Sequence, residues 1–275
     1  MICDLHTHSN SSDGSFNAED LVPYAEKLGI AAIALTDHNT VKGLDRFMKA
    51  GKSSPVITVP GIEISTEHNG HELHILGLFL PEEKYTEINK MMEDIASAKE
   101  KSNRDTVASL REAGYDIDYD EIVASSPDSY INRVHIAKAL LKKGYVESTD
   151  EAFNTLLEAK HGHYKESKKP NSAEIIRYLL SIGAVPVWAH PFFKMNEEEV
   201  DKTLADLVPY GLVAMETIYT TYDEKTTAAA KALAEKYNLK QSGGSDFHGD
   251  GKPKVKMGSG YGNLCIPFEF YENLK

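Results

Sequence analysis

His6 and His8 stand two residues apart at the end of a predicted strand, Ile2–His6, and Asp13 follows in a Ser/Gly turn. Side chains alternate between the two faces of a strand, so the two imidazoles point the same way. Paired imidazoles at a strand end, with a carboxylate on the next loop, form a corner for a divalent metal ion. An isolated H-x-H also describes two solvated loop histidines, and so short a motif decides nothing alone. The rest of the chain repeats the placement. Asp37 and His38 follow the apolar run Ile30–Thr36, Glu63 closes Val56–Ile62, His190 follows Val185–Ala189, and Asp246 and His248 follow the segment 241–245. His74 opens Ile75–Leu80 and is an exception in direction. Singly, each has a structural explanation, such as a helix cap or an ion pair. Gathered at one edge of the strands, they occupy the place where α/β barrels assemble active sites. His68 and His71 in an Asn-Gly hairpin, and His161 and His163 in a polar loop, are expected at the solvent.

Alternating elements position these residues. Strands are expected at Ile2–His6, Ile30–Thr36, Val56–Glu63 and Ile75–Leu80, with helices over Ala18–Leu28, capped by Asn17, and over Val41–Ala50. The rhythm then stops. Residues 82–165 read as helical and charged, with one long helix over Tyr85–Ala113, another over Val134–Lys143, and a third over Asp150–Ala159 capped by Thr149. Alternation resumes with helices at Ser172–Ser181, Glu197–Val208 and Glu224–Tyr237. The strands between and after them are Ala184–Ala189, Leu212–Glu216 and Lys240–Gly243, and the last apolar segment is Leu264–Phe268. The expected organisation is an α/β sheet or barrel from residues 1–81 and 166–275, interrupted by a small helical domain at 82–165.

The chain has 275 residues, 41% of them hydrophobic, which suits a globular protein with a substantial core. No apolar run reaches the roughly 18 residues that span a bilayer. Its start lacks a basic region followed by an apolar stretch, so no membrane partner and a cytoplasmic location are expected. Cys3 and Cys265 are too few for a disulfide framework and are expected as buried free thiols. A formal charge of -12 argues against a duplex nucleic-acid partner, which needs a basic face. It does not oppose a small phosphorylated ligand, because bound metals bring their own positive charge.

D-L-H-T-H-S-N-S-S-D-G from Asp4, T-D-H-N-T from Thr36, P-G-I-E-I-S from Pro60 and H-E-L-H-I-L-G-L from His71 occur in that order, followed by A-H-P around His190 and G-S-D-F-H from Gly244. Together they resemble the polymerase and histidinol phosphatase (PHP) family of metal-dependent phosphoesterases. Asn132-Arg133-Val134-His135-Ile136-Ala137 extends the resemblance through the insertion. It is most similar to the branch of nucleoside 3′,5′-bisphosphate phosphatases and 5′–3′ oligoribonucleases.

The resemblance implies a distorted (β/α)7 TIM-like barrel with two to three divalent ions at the strand ends. One ion would take His6, His8, Glu63 and Asp246; a second would share Glu63 and add His74 and His190. A third would take Asp13, His38 and His248, although many relatives carry histidine where this chain has Asp13. Asp37 would orient a ligand from behind. Ligands of nitrogen and oxygen without thiolate suit zinc, manganese or iron. The implied reaction is hydrolysis of a phosphate ester by a metal-bridging hydroxide. Arg133 would bind substrate phosphate, with Lys160 as a weaker candidate, and His135 would contact substrate or donate a proton to the leaving group. The partner would be a small phosphorylated nucleotide or a short 5′-phosphorylated oligonucleotide, with histidinol phosphate as the alternative substrate. The rivals of another class are a metal-dependent amidohydrolase and a non-catalytic module of the same fold. Glu63 stands where an amidohydrolase would place a carboxylated lysine, and no ligand of the set is missing.

Overall fold

The computed structural model describes residues 1–126, 131–165 and 169–275. In chain order its elements are β1 (Ile2–Thr7), α1 (Leu21–Lys27), β2 (Ile30–Leu35), α2 (Leu44–Gly51), β3 (Ile57–His68), β4 (His71–Leu78) and α3 (Tyr85–Glu112). Then come α4 (Tyr119–Ala124), α5 (Arg133–Lys142), α6 (Thr149–Ala152), α7 (Ser172–Ser181), β5 (Val185–Trp188) and α8 (Glu197–Leu207). The chain ends with β6 (Ala214–Tyr219), α9 (Glu224–Lys236), β7 (Lys240–Gly244) and α10 (Glu269–Leu274). It divides into two compact units, residues 1–89 with 170–275, and residues 90–169. The domain boundary expected at residue 166 lies outside the described residues.

The first unit is a seven-stranded sheet in sequence order. β1, β2 and β3 run parallel, as do β5, β6 and β7. β4 is antiparallel to both β3 and β5. The reversal follows from a two-residue turn at Asn69 and Gly70, both at positive φ, where Asn-Gly pairs are favoured. It also explains His74. Because β4 runs backwards, its first half lies at the edge where the parallel strands end.

β1 meets the segment just past β7, closing the sheet. The Asp246 N–H donates to the His6 carbonyl at 2.9 Å, and the His8 N–H donates to Phe247 at 2.9 Å. One apolar cluster includes Leu5, Ala34, Val59, Leu76, Val187 and Ala214, so β1 to β6 each contribute to a shared interior. That shared interior is the inside of a nearly closed barrel, as expected. The last apolar segment, Leu264–Phe268, adds no strand to the sheet. Pro267 has no N–H to give a ladder, so pairing stops at single contacts to Ile2 and Cys3. The chain then turns into α10, whose Phe270, Tyr271 and Leu274 join the barrel cluster.

Helix starts follow the side chains available to their free N–H groups. Asn171 accepts from Ala173 and Glu174 at the head of α7, and Asn196 and Glu199 form a reciprocal capping box at α8. Asn17 makes no such cap; its side chain bonds Asn10 and Asp20. In the second unit Ser148, rather than Thr149, caps α6, which gives way to a wider turn over Phe153–Leu157. This unit has its own core, including Leu110, Ile117, Ile136, Leu140 and Leu157. No helix among the described residues is long and apolar enough to cross a membrane.

Candidate metal centre

The centre is built around Glu63. This residue does not end its strand as expected; β3 continues five residues further, to His68. Its backbone is tied to the loop after β2, accepting from Asn39 N–H at 2.8 Å and donating to the Asp37 carbonyl at 3.1 Å. The carboxylate is wholly buried among histidines. Oε1 lies 2.7 Å from His74 Nδ1 and 3.0 Å from His190 Nε2. Oε2 lies 2.9 Å from His38 Nδ1, 3.2 Å from His6 Nε2 and 3.3 Å from His8 Nε2. Burial pushes the Glu63 carboxyl up, but His38, His6 and His74 outweigh it and hold it well below the usual range. His8 is also held well below its usual range, by burial and by neighbouring His248 and His38, which keeps it neutral, the form that ligates metal.

Asp246 supplies the second carboxylate. Its Oδ1 faces His8 Nε2 at 3.2 Å, His248 Nδ1 at 3.4 Å and His6 Nε2 at 3.8 Å. Its Oδ2 accepts from the Tyr219 hydroxyl at 2.7 Å and the Lys252 ammonium at 2.6 Å. Asp13 is the third, 3.1 Å from His248 Nε2 and 3.9 Å from both His8 Nδ1 and His38 Nε2. Asp246 and His190 both hold positive φ. Non-glycine residues in that region cost on the order of 1–3 kcal/mol each and collect at functional sites.

Four groups of ligand atoms lie within 4.8 Å of one another: His8, Asp13, His38 and His248; His6, Glu63 and His190; His6, His8 and Asp246; and His38, Glu63 and His74. Within them His6 Nε2, both nitrogens of His8, His248 Nε2 and Glu63 Oε2 are buried without a hydrogen-bond partner. An unmet buried polar atom costs about 1–3 kcal/mol. Five converging ones fit divalent cations, which these nitrogens and oxygens would satisfy together.

Behind them stands a set of anchoring carboxylates. Asp37 accepts from the Ser9 N–H at 2.7 Å and from the Ser9 and Ser12 hydroxyls at 2.6 Å, pinning the loop that carries Asp13. Asp4 binds the Ser245 N–H at 2.9 Å, the Ser245 hydroxyl at 2.6 Å and the Gly258 N–H at 2.7 Å. Glu216 lies 3.0 Å from His6 Nδ1 and accepts from the His190 N–H at 2.7 Å. The carboxylate fixes the proton on His6 Nδ1 and turns Nε2 towards Glu63. The sequence reading missed Asp4, Glu216, Tyr219 and Lys252. Glu216 had a signal, the end of the expected strand Leu212–Glu216; Lys252, in a loop, had none.

The nine residues singled out as metal ligands therefore come together. Arg133, His135 and Lys160 belong to the second unit and have contacts there. His135 Nδ1 accepts from the Asn132 N–H at 3.2 Å, closing a capping box on α5. Arg133 stacks 4.4 Å from the Tyr164 ring and 5.7 Å from Phe153, and Lys160 pairs with Glu158. Two histidines expected at the solvent are hydrogen-bonded instead, His68 with Asp206 at 3.2 Å and His163 with Ser109 at 3.2 Å, and His161 has its Nε2 buried without a hydrogen-bond partner. Cys3 is buried as expected, whereas Cys265 is exposed.

Residues 4–169 match the PHP domain. The chain belongs to the PHP family, and its fold is that of the metal-dependent phosphoesterases. It is 28% identical over 246 residues to a 5′–3′ exoribonuclease of Haemophilus influenzae, covering 89% of each chain. It is 29% identical over 256 residues to a phosphoribosyl 1,2-cyclic phosphate 1,2-diphosphodiesterase of Eggerthella lenta, covering 90% of this chain and 95% of that one. A solved structure from Bifidobacterium adolescentis, assigned as a metal-dependent phosphoesterase, superposes with a TM-score of 0.84 at 26% identity, covering 98% and 94% of the two chains.

Proposed function

We propose that the protein hydrolyses a phosphate ester of a small nucleotide, using two to three divalent ions of zinc, manganese or iron. The observation that carries this reading is the set of five buried, unpartnered ligand atoms around Glu63 and Asp246. His6, His8, Glu63 and Asp246 would hold one ion, Glu63, His74 and His190 a second, and Asp13, His38 and His248 a third. Ions held there supply Lewis acidity, lowering the pKa of a water towards about 7 and neutralising phosphoryl charge.

The chain's own groups do the rest. Glu216 keeps His6 in one tautomer, and Asp4 and Asp37 hold the loops bearing Asp246 and Asp13. A cavity of about 120 Å³ opens beside the ligands, lined by His38, His74, His190, Asp246, Tyr219 and Lys252. The Lys252 ammonium on its wall offers a phosphoryl oxygen a positive partner that needs no metal. Arg133 and Lys160 are assigned to substrate phosphate on their chemistry alone, Arg133 as a planar fork.

The test is phosphate release by metal-reconstituted protein from adenosine 3′,5′-bisphosphate, AMP, a 5′-phosphorylated dinucleotide and histidinol phosphate, with a chelator-treated control. Metal-dependent release from the nucleotides supports the reading. Release from histidinol phosphate alone moves the substrate class, and no release with metals bound overturns it.

A further inference from the structure

β5 ends at Trp188, and two residues on His190 enters the left-handed region at φ 34° to begin a 3₁₀ turn over Pro191–Phe193. The Phe193 N–H closes that turn onto the His190 carbonyl at 2.9 Å. The turn brings Phe193 back beside His190, whose left-handed backbone starts it. The rings lie 5.9 Å apart by centroid, and the Phe193 ring is 6.4 Å from that of Tyr219, the hydroxyl that holds Asp246.

Such a position is normally covered, yet Phe193 is 52% exposed. A lone exposed phenylalanine on an open surface needs no explanation. This one lines the same cavity as His38, His190, Asp246 and Lys252. The Lys194 ammonium stands 5.9 Å from the ring centroid, so the aromatic surface has a cation beside it. An aromatic face with an adjacent cation, at the mouth of a phosphoester cavity, suits a ligand that is a flat ring at one end and an anion at the other.

We infer that Phe193 is the stacking platform for the nucleobase of the substrate, and that this side chain makes the site prefer base-bearing esters over phosphorylated sugars without a base. The inference rests on the phosphoesterase reading above and sharpens its substrate class. The two relatives described differ on that point: one is named for RNA, the other for a phosphoribosyl cyclic phosphate.

The experiment compares adenosine 3′,5′-bisphosphate with its abasic counterpart, the tetrahydrofuran 3,5-bisphosphate, in the metal-loaded wild type, Phe193→Ala and Phe193→Trp. The wild type should favour the adenosine ester by about tenfold in kcat/KM, within the range that base stacking supplies. Phe193→Ala should lose that preference through KM, with kcat within about twofold. Phe193→Trp should keep it. An unchanged preference in Phe193→Ala, or an equal loss on both esters, overturns the inference. If the wild type cleaves neither ester, the nucleotide phosphoesterase reading falls, and calorimetric binding of AMP decides the platform separately. Weaker binding to Phe193→Ala by about tenfold then supports it, and equal affinity overturns it.

Discussion

Around Glu63, five histidine nitrogens lie within 3.3 Å of one carboxylate, and several of the buried atoms there have no hydrogen-bond partner. In the inserted unit, His135 is also buried, but its Nδ1 is spent on the backbone of Asn132. The charges of that unit pair along helix faces, as in Arg104 with Glu100 and Lys101 with Asp105, and between segments, as in Lys143 with Asp116. The same residue type thus lines a candidate ligand cluster in one region and caps a helix in the other. What separates them is whether the neighbouring chain satisfies the ring. A buried histidine whose partners are complete is explained by folding, whereas a cluster left incomplete requires something from outside the chain.

The largest test of that contrast is Glu63→Gln. It removes the charge that several ligands share and should lower kcat by roughly a thousandfold or more, with the far-ultraviolet circular dichroism unchanged. Retention of wild-type turnover would break the comparison at its centre. Metal supply should also set the stability of the barrel unit alone. At a hundredfold excess of free ion over Kd, each independent site adds about 2.7 kcal/mol to folding, so the calorimetric Tm should rise with added metal and fall with chelator.

Glu216→Gln should be milder. It leaves every ligand in place but loosens the orientation of His6, and should weaken metal binding by about 10–100-fold in competition with a chromophoric chelator. His135→Ala should touch only the other region, costing about 1 kcal/mol of stability through the lost cap. His135→Gln can rebuild the capping box and should restore the Tm. A large fall in kcat for His135→Gln would return the residue to the substrate role suggested by its sequence. The smallest effect concerns the thiols. Burial pushes the Cys3 thiol up to about 12. Only the exposed Cys265 should react with a disulfide reagent in the native protein, and both should react after unfolding.

The candidate metal ligands were legible because strand ends are local. Alternation along Ile2–His6 places His6 and His8 on one face, and the short apolar run Val185–Ala189 announces where His190 follows. The direction of β4 was not legible from the apolar run Ile75–Leu80, since periodicity shows a strand without its orientation. The Asn69-Gly70 turn carried that information. Asp4 was invisible for a different reason. Its partners include Gly258, 254 residues away, and only closure of the barrel brings them together. Lys252 likewise acquires meaning from Asp246 beside it and not from any pattern in its own loop. The wide turn after α6, where a regular helix over Asp150–Ala159 was expected, reflects tertiary packing overriding local preference.

The joint between β1 and the end of β7 has a consequence for how the protein is made. Asp4 and Ser245 are 241 residues apart, and the ligands beside them, His6 and Asp246, flank the same joint. An ion shared by that pair would act as a cross-link over nearly the whole chain, closing a loop whose entropy has already been spent by folding. During synthesis, the emerging chain can offer early ligands such as His38, Glu63 and His74, but the complete centre exists only after the last strand has docked. Full metal loading is thus a report that the chain has finished folding.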